Sequence, residues 1–151
     1  LMLNLLAASA ATVKNCAADS TVVVSPHHVS IAAGAGADDI ISVAGYPTGR
    51  HHSLVKAAEA RLAVQSGAAE VWVAVDELLG DATSLLSELV TLREACPLPV
   101  RLGLILPERP ALPLPEYARA AEQAGYQCLI ETGSVVSDDE ALDTQLSIES
   151  L

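Results

Sequence analysis

The stretch Asp39-Ile-Ile-Ser-Val-Ala-Gly-Tyr-Pro-Thr-Gly49 contains an apolar run that ends in a turn, and a second apolar run, Glu70-Val-Trp-Val-Ala-Val75, follows it after one helix-length segment. Both runs are nearly continuous in Val, Ile and Ala instead of alternating with polar residues. Such runs are typical of strands that are covered on both faces, as in parallel sheets. The stretch therefore predicts two parallel strands joined by a helix.

The segment between these two runs has the spacing of a helix over residues 53–66. Leu54, Ala58 and Leu62 recur at i, i+4 and i+8, and they predict its apolar face. Ser53 is the expected N-cap, and Gly67 is the expected C-terminal stop. Strand, helix and strand in this order indicate a βα unit.

The same alternation continues along the chain. Strands are expected at residues 21–25, 39–45, 70–75, 100–106 and 127–131, with residues 1–6 as the remnant of a further strand. A second helix is expected over 81–95, a third from Pro115 to Gly125, and a last one from the capping box Ser137-Asp-Asp-Glu140. The pattern predicts an α/β fold of five to six parallel βα repeats in a single domain, 1–151. It leaves open whether the repeats form a barrel or an open sheet.

Composition narrows the function classes. A formal net charge of −11 over 151 residues repels phosphate backbones and anionic lipid, so neither nucleic acid nor a membrane surface is an expected partner. A small phosphorylated ligand remains open, because backbone amides can hold an anion without net positive charge. Cys16, Cys96 and Cys128 show no CxxC spacing, which favours a reducing cytoplasm. Residues 1–11 resemble the apolar part of a signal peptide but lack its positively charged start.

Residues 42–73, which begin within the stretch quoted at the start, also carry a family pattern, that of a third and fourth βα unit. Ser42-Val-Ala-Gly-Tyr-Pro-Thr-Gly49 is similar to the TVxGFPxG strand end of deoxyribose-phosphate aldolases, and the following residues match the family's helix and next strand without a gap. The matched positions after the turn are Lys56, Glu59, Ala63, Gly67-Ala68 and Glu70-Val71. Weaker similarity covers Val22-Val-Val-Ser-Pro26, Pro99-Val-Arg-Leu-Gly-Leu-Ile105 and Ala124-Gly-Tyr-Gln-Cys-Leu-Ile-Glu-Thr-Gly133. The resemblance implies a TIM-barrel scaffold, here incomplete.

The resemblance implies a class I aldolase that forms a Schiff base on a sixth-strand lysine. Only an unprotonated primary amine can form that imine. The lysine position is occupied by Glu131 or, with a shift of one residue, by Ile130. The chain has two lysines, Lys14 and Lys56. We expect Lys56 to be a solvated helix lysine away from the strand ends.

Two more family positions are changed. Trp72 stands where the family has an Asp that relays protons, and its ring is expected to fill the pocket. Arg101 replaces a fifth-strand lysine and could hold an anion or pair with Glu131. Asp76, at the end of the fourth strand, is expected to cap a turn. Arg101, Glu131 and Asp76 are therefore the weak catalytic candidates.

Other constellations carry less chemistry. Thr132, Gly133 and Ser134 occupy the position of a phosphate-binding loop, and a simple strand-to-helix turn is the alternative. The pairs His27-His28 and His51-His52 offer one ligand each, too few for a metal site. Gly34-Ala-Gly36 lacks the third glycine of a dinucleotide fingerprint. The sequence thus predicts no metal and no cofactor.

Three functions follow from these observations. The favoured one is an aldolase-like protein without the Schiff-base lysine, acting as a binding or interaction subunit. The second is an active aldolase on deoxyribose 5-phosphate or a related sugar phosphate, with residues supplied by a partner chain or lying outside this sequence. The third is an acid/base enzyme on a small phosphorylated carbonyl compound. Nothing after Glu131 resembles the family's seventh strand, so we expect an open sheet edge that is covered by the terminal helix or by a partner chain, either a second copy in a homo-oligomer or an intact paralogue.

Overall fold

In the computed structural model, which describes residues 2–132 and 146–151, seven parallel strands form one sheet in chain order. The strands are β1 (Met2–Asn4), β2 (Thr21–Val23), β3 (Asp39–Ala44), β4 (Glu70–Ala74), β5 (Arg101–Ile105), β6 (Cys128–Glu131) and β7 (Ser147–Ser150). The helices are α1 (Ala10–Cys16), α2 (Val29–Gly34), α3 (Ser53–Ser66), α4 (Ala82–Ala95) and α5 (Leu114–Gln123), and a 3₁₀ turn, Pro26–His28, precedes α2.

Both faces of the sheet are apolar, which is why its strands are continuous rather than alternating runs. One face packs on the helices in a large core that includes Val71, Leu102 and Leu129. The opposite face forms a second, smaller core around Trp72 and Ile130. Met2, Leu6 and Leu151, from the two ends of the sheet, pack on this second core. The sheet is therefore curled into a half-barrel, and its inner face is the concave one.

Strand alternation assigns each strand residue to one face. On β4 the inner residues are Glu70, Trp72 and Ala74, and on β5 they are Arg101, Gly103 and Ile105, the direct register partners of the first three. On β6 the inner residues are Cys128 and Ile130. Glu131 falls on the helix-covered face with Leu129.

The expectation that nothing strand-like follows Glu131 is wrong. Ser147–Ser150 forms β7, which pairs in parallel with β6 from Cys128↔Ser147 to Glu131↔Ser150. The strand was missed because Ser147-Ile-Glu-Ser150 has a single apolar residue and no periodic signal. The capping box at residues 137–140 lies outside the described residues.

The predicted apolar face of α3 is also wrong. Leu54 and Leu62 are 64% and 62% exposed, whereas Ala57, Ala60 and Ala63 are buried. Small residues allow the helix to approach the sheet closely, and the larger leucines remain outside. The cap differs by one position, because His52 Nδ1 accepts the Leu54 amide and Ser53 is the first helical residue.

The other two described helix predictions are confirmed. Asp81 caps α4 through the Thr83 amide, and Leu85, Leu89 and Leu92 are buried on the sheet side. The helix α5 has Pro115 in its first turn and ends before Gly125. No helix within residues 2–132 and 146–151 is both long and apolar enough to cross a membrane.

Candidate functional site

An open cavity of about 390 Å³ lies at the carboxyl ends of β3, β4, β5 and β6. Its floor is apolar, formed by Ala74, Ile105 and Leu106. Parallel sheets bind ligands at this edge because the loops that follow the strands meet there. The cavity is therefore the first candidate for a ligand site.

The turn after β3 forms one wall of the cavity and depends on two glycines. Gly45 (φ 71°) and Gly49 (φ 68°) have positive φ, and the Gly49 amide donates to the Gly45 carbonyl at 2.7 Å. A Cβ on Gly49 would lie 2.2 Å from the carbonyl carbon of Val75, so the turn rests directly on the end of β4. Only glycine allows both this φ and this approach.

Beneath the same turn lies Lys56, and the expectation that it is solvated is wrong. Its side chain is fully buried, and its Nζ donates to the Ala74 carbonyl at 2.8 Å and lies 2.9 Å from Glu88 Oε1. The ion pair thus ties α3 to the end of β4 and to α4. Lys56 does not line the cavity, and an ammonium held in this way is not a free nucleophile.

The mouth of the cavity is mostly acidic. Asp76, Glu77 and Glu108 line it, and Arg50 is the cation among the lining residues. The Arg50 Nε lies 3.7 Å from Asp76 Oδ2 in an exposed pair, which contributes little to stability. Asp76 Oδ1 also accepts the Leu78 amide at 3.0 Å, so the expected turn-capping role is confirmed.

The inner face below the cavity holds no imine chemistry at the two family positions. Ile130 points to the inner face while Glu131 points to the helices, so Ile130 is the residue at the inward position of β6. Trp72 is fully buried one pleat below Ala74, and a Cβ on Gly103 would lie 2.8 Å from its Cδ1. The indole therefore covers Gly103 and fills the interior, but it does not line the cavity.

The three weak catalytic candidates are not brought together. Arg101 begins β5, and its Nε donates to Glu70 Oε1 at 2.7 Å, not to Glu131. Ile105 is level with Ile130, so Glu131 lies five residues further along the sheet, about 16 Å from the level of Arg101. Of the three, only Asp76 lines the cavity.

At the amino end of the inner face a second polar group is found that the sequence did not reveal. Glu70, Cys128 and Glu149 come from β4, β6 and β7, and their donor atoms all lie within 4.8 Å of one another. Glu70 Oε2 accepts the Trp72 indole N–H at 2.6 Å. No signal in the sequence links these three positions, which come together only in the folded, curled sheet.

Burial shapes the acid–base properties of this cluster. It raises the pKa of the Cys128 thiol to about 12, with the Glu70 carboxylate adding to the effect. It also raises the pKa of Glu149, again with Glu70 as the second cause. Hydrogen bonding to Glu70 raises the pKa of Arg101. A thiol and two carboxylates therefore share a poorly solvated space, and the half-exposed Arg101 guanidinium lies at its edge.

The expected phosphate loop is described only in part. Thr132 lines the cavity, with its Oγ1 3.5 Å from the Leu106 carbonyl. Gly133 and Ser134 lie outside the described residues. Thr132 after β6, and Arg50 together with Tyr46 and Thr48 from the β3 turn, are described cavity residues whose side chains could donate hydrogen bonds to an anion.

Comparison with known proteins identifies relatives of this scaffold. No family model matches the chain. It is 57% identical over 70 residues to the deoxyribose-phosphate aldolase of Corynebacterium glutamicum, which covers 44% of this chain and 32% of the relative. It is 37% identical over 112 residues to the deoxyribose-phosphate aldolase of Mycobacterium bovis, which covers 69% of this chain and 50% of the relative. The chain therefore spans about a third to a half of the length of these curated relatives.

The fold has matches among solved structures. The tetrameric deoxyribose phosphate aldolase from Aeropyrum pernix aligns with a TM-score of 0.68 at 19% identity, over 86% of this chain and 60% of that chain. At this identity the match concerns the fold. It agrees with a curled sheet of parallel strands that alternate with helices.

Proposed function

Because the chain belongs to the deoxyribose-phosphate aldolase family, we propose that it keeps the family's scaffold as a single-domain binding or interaction subunit and that its described residues do not perform imine chemistry. The observation that carries this proposal is the pair Trp72 and Ile130. Both are fully buried on the inner face, where the family resemblance calls for an acid and a lysine. An indole and an aliphatic chain can neither form an imine nor relay a proton.

The lysines support the same proposal. Lys56 is committed to Glu88 and to the Ala74 carbonyl. Lys14 lies on α1, which follows β1 at the far end of the strand order from β6. Neither amine reaches the cavity, so a Schiff base with a cavity-bound aldehyde has no donor among residues 2–132 and 146–151.

Borohydride trapping tests this directly. The chain is incubated with acetaldehyde and sodium borohydride, and the product is examined by intact mass and peptide mapping. We expect no adduct inside the fold, and the variant Lys14→Arg removes the exposed amine that reacts nonspecifically. The aldolase from Corynebacterium glutamicum is the positive control. A stoichiometric adduct at Lys56 would contradict the proposal.

A lysine supplied by a partner chain is the alternative that a second experiment distinguishes from a binding role alone. The same trapping is repeated with the chain mixed with the full-length relative, and adducts are assigned to each protein by mass. An adduct yield on the relative that rises with added chain would favour a joint active site. An unchanged yield favours a binding role alone.

For the ligand we propose a small polyhydroxylated compound of the sugar-phosphate class. The cavity supports it with carboxylates that accept hydroxyl hydrogens, an apolar floor, and Arg50 and Thr132 as donors for a phosphate. Thermal shift with deoxyribose 5-phosphate, deoxyribose and inorganic phosphate tests it. A ligand at 100 times its dissociation constant stabilises by about 2.7 kcal/mol.

The matched variant for this test is Arg50→Gln. We expect it to lower the shift given by the phosphate ester to that given by the parent sugar, because Arg50 is the described cation at the mouth. The absence of a shift with all three compounds would remove the ligand from the proposal and leave an interaction role.

Two further parts of the proposal concern assembly and location. We propose self-association or pairing with an intact paralogue through the outer strands β1 and β7, because unpaired strand edges favour added strands. A strict monomer in light scattering at micromolar concentration would contradict self-association. We propose a reducing location such as the cytoplasm, since Cys16, Cys96 and Cys128 are free thiols.

A further inference from the structure

We propose that Glu70, Cys128 and Glu149 form a zinc site on the amino end of the inner face, where the ion fastens β7 to the middle of the sheet. The three side chains come from β4, β6 and β7 and place one carboxylate oxygen each and one sulfur within 4.8 Å of one another. Bonds of about 2.0 to 2.3 Å to a single ion require the donors to close in by roughly half an ångström each.

The donor set points to zinc. A thiolate with two carboxylates suits a borderline-soft divalent cation, whereas magnesium and calcium prefer oxygen ligands alone. Two carboxylates and one thiolate carry three negative charges, and the Arg101 guanidinium beside Glu70 compensates one of them. The remaining two negative charges are neutralised by one divalent cation. Three protein ligands leave a fourth position for water.

Cys128 is the second observation in favour of a ligand. Its side chain is fully buried, its sulfur lies 4.0 Å from both Glu70 Oε2 and the Leu102 carbonyl, and the Trp72 side chain also interacts with it. Contacts at this distance satisfy a buried thiol poorly. A buried sulfur that faces two carboxylates over such long contacts is an arrangement that a metal ion would tighten.

The surroundings hold Glu70 in place for such a role. Glu70 is 5% exposed, Trp72 donates to its Oε2 and Arg101 to its Oε1. Hydrogen-bonded carboxylates keep their orientation when they bind a metal, and each oxygen still has a free lone pair. Gly103 lies on β5, between β4 and β6, and has no side chain to occupy this space. A Cβ at this position would lie 2.7 Å from the Cys128 sulfur.

The site lies away from the cavity. Glu70 and Cys128 are the first residues of their strands, whereas the cavity lies where β3 to β6 end. This end of barrel-type sheets serves stability more than catalysis. The expected effect of the ion is therefore to hold the last strand against β6 and to stabilise the fold.

The chain carries its own reporter for the test. Trp72 is the single tryptophan of the sequence, and its indole N–H is bonded to Glu70. We expect zinc to bind with a stoichiometry of one in equilibrium dialysis, to change the Trp72 emission and to raise the melting temperature. Cobalt in place of zinc should give a sulfur-to-cobalt charge-transfer band. A cobalt complex without that band would overturn the proposal without recourse to any variant.

Variants separate this site from adventitious binding. Cys128→Ser and Glu149→Gln should each weaken zinc binding at least about tenfold, while the exposed control Cys16→Ser should leave it unchanged. Glu149→Gln, on the last strand, carries the test if Cys128→Ser does not fold, as judged by circular dichroism. Zinc bound at the exposed histidines would persist in both variants with no change in Trp72 emission, and that result would sink the idea.

Discussion

The two ends of the inner face differ in how they handle charge. At the carboxyl end, Asp76, Glu77 and Glu108 surround an open cavity, and their charges are solvated. At the amino end, Glu70 and Cys128 are buried, and Glu149 lies beside them. Water screens charges at the open end, whereas the closed end must balance them with Arg101 or an ion.

The two ends of the inner face are structurally separate from each other. Between the two ends, Trp72 and Ile130 form an apolar layer that isolates the cavity from the buried cluster. Substitutions at the two family positions therefore remove imine chemistry from the middle without closing the cavity above. Changes at one end should leave the other end intact, and the following variants test that independence.

The largest effect is expected from Lys56→Met, which leaves Glu88 and the Ala74 carbonyl without their buried partner. Breaking a buried ion pair by removing one partner costs about 3 to 5 kcal/mol. Urea unfolding measures the loss, and Lys14→Met is the matched control with little expected change. The double variant Lys56→Met with Glu88→Leu should recover much of the loss. Equal stability of Lys56→Met and the wild type would show that the pair contributes nothing.

The second-largest loss of stability is expected from Gly49→Ala, in the turn that forms the cavity wall. Its Cβ would meet the Val75 backbone at 2.2 Å, and its φ is positive, so we expect a loss of about 3 kcal/mol. Gly36→Ala is a matched control, since Gly36 also has positive φ but nothing lies within 4 Å of its added Cβ. It should lose about 1 kcal/mol. Similar losses for both variants in urea unfolding would mean that the clash is relieved without cost.

The sequence was sufficient for much of the scaffold and for little of the site. The runs at 39–45 and 70–75 correspond to β3 and β4, because continuous apolar strands give a strong local signal. The burial of Lys56 was not predicted, because Leu54 and Leu62 are more apolar than the alanines that are buried, and their spacing indicated the wrong buried face of α3. Hydrophobicity ranks residues by burial preference, but close helix packing selects by size.

The other contacts that the sequence did not predict lie between strands. Arg101 was expected to bind an anion or Glu131, yet register places Glu70 directly opposite it on β4. Partners on neighbouring strands are set by a register that no local pattern encodes. The meeting of Glu70, Cys128 and Glu149 could not be predicted either, because it required β7, which has no sequence signal.

The third-largest loss of stability is expected from Gly103→Ala, near the buried amino end of the inner face. The added Cβ would lie 2.7 Å from the Cys128 sulfur and 2.8 Å from Trp72 Cδ1, and these are side-chain atoms that can shift. We expect a loss of about 1 to 2 kcal/mol, smaller than that of Gly49→Ala, together with altered Trp72 emission. Ligand-induced thermal shifts at the cavity should be unchanged. A change in those shifts would show that the two ends are coupled.

The smallest effect is expected in the pH dependence of stability, and it arises from a residue outside both ends of the inner face. His28, in the 3₁₀ turn after β2, is 8% exposed, and its Nδ1 has no hydrogen-bond partner among the described residues. Burial lowers the pKa of His28 below its ordinary value of 6.5, with His27 as the second cause. The unfolded chain then binds the proton more readily, so this stability is present above pH 6.5 and is lost as pH falls through the lowered pKa. Melting temperatures of His28→Gln should fall less steeply with acid than those of the wild type, while exposed His51→Gln should follow the wild type. Parallel curves for the wild type and His28→Gln would place the acid sensitivity in the carboxylates instead.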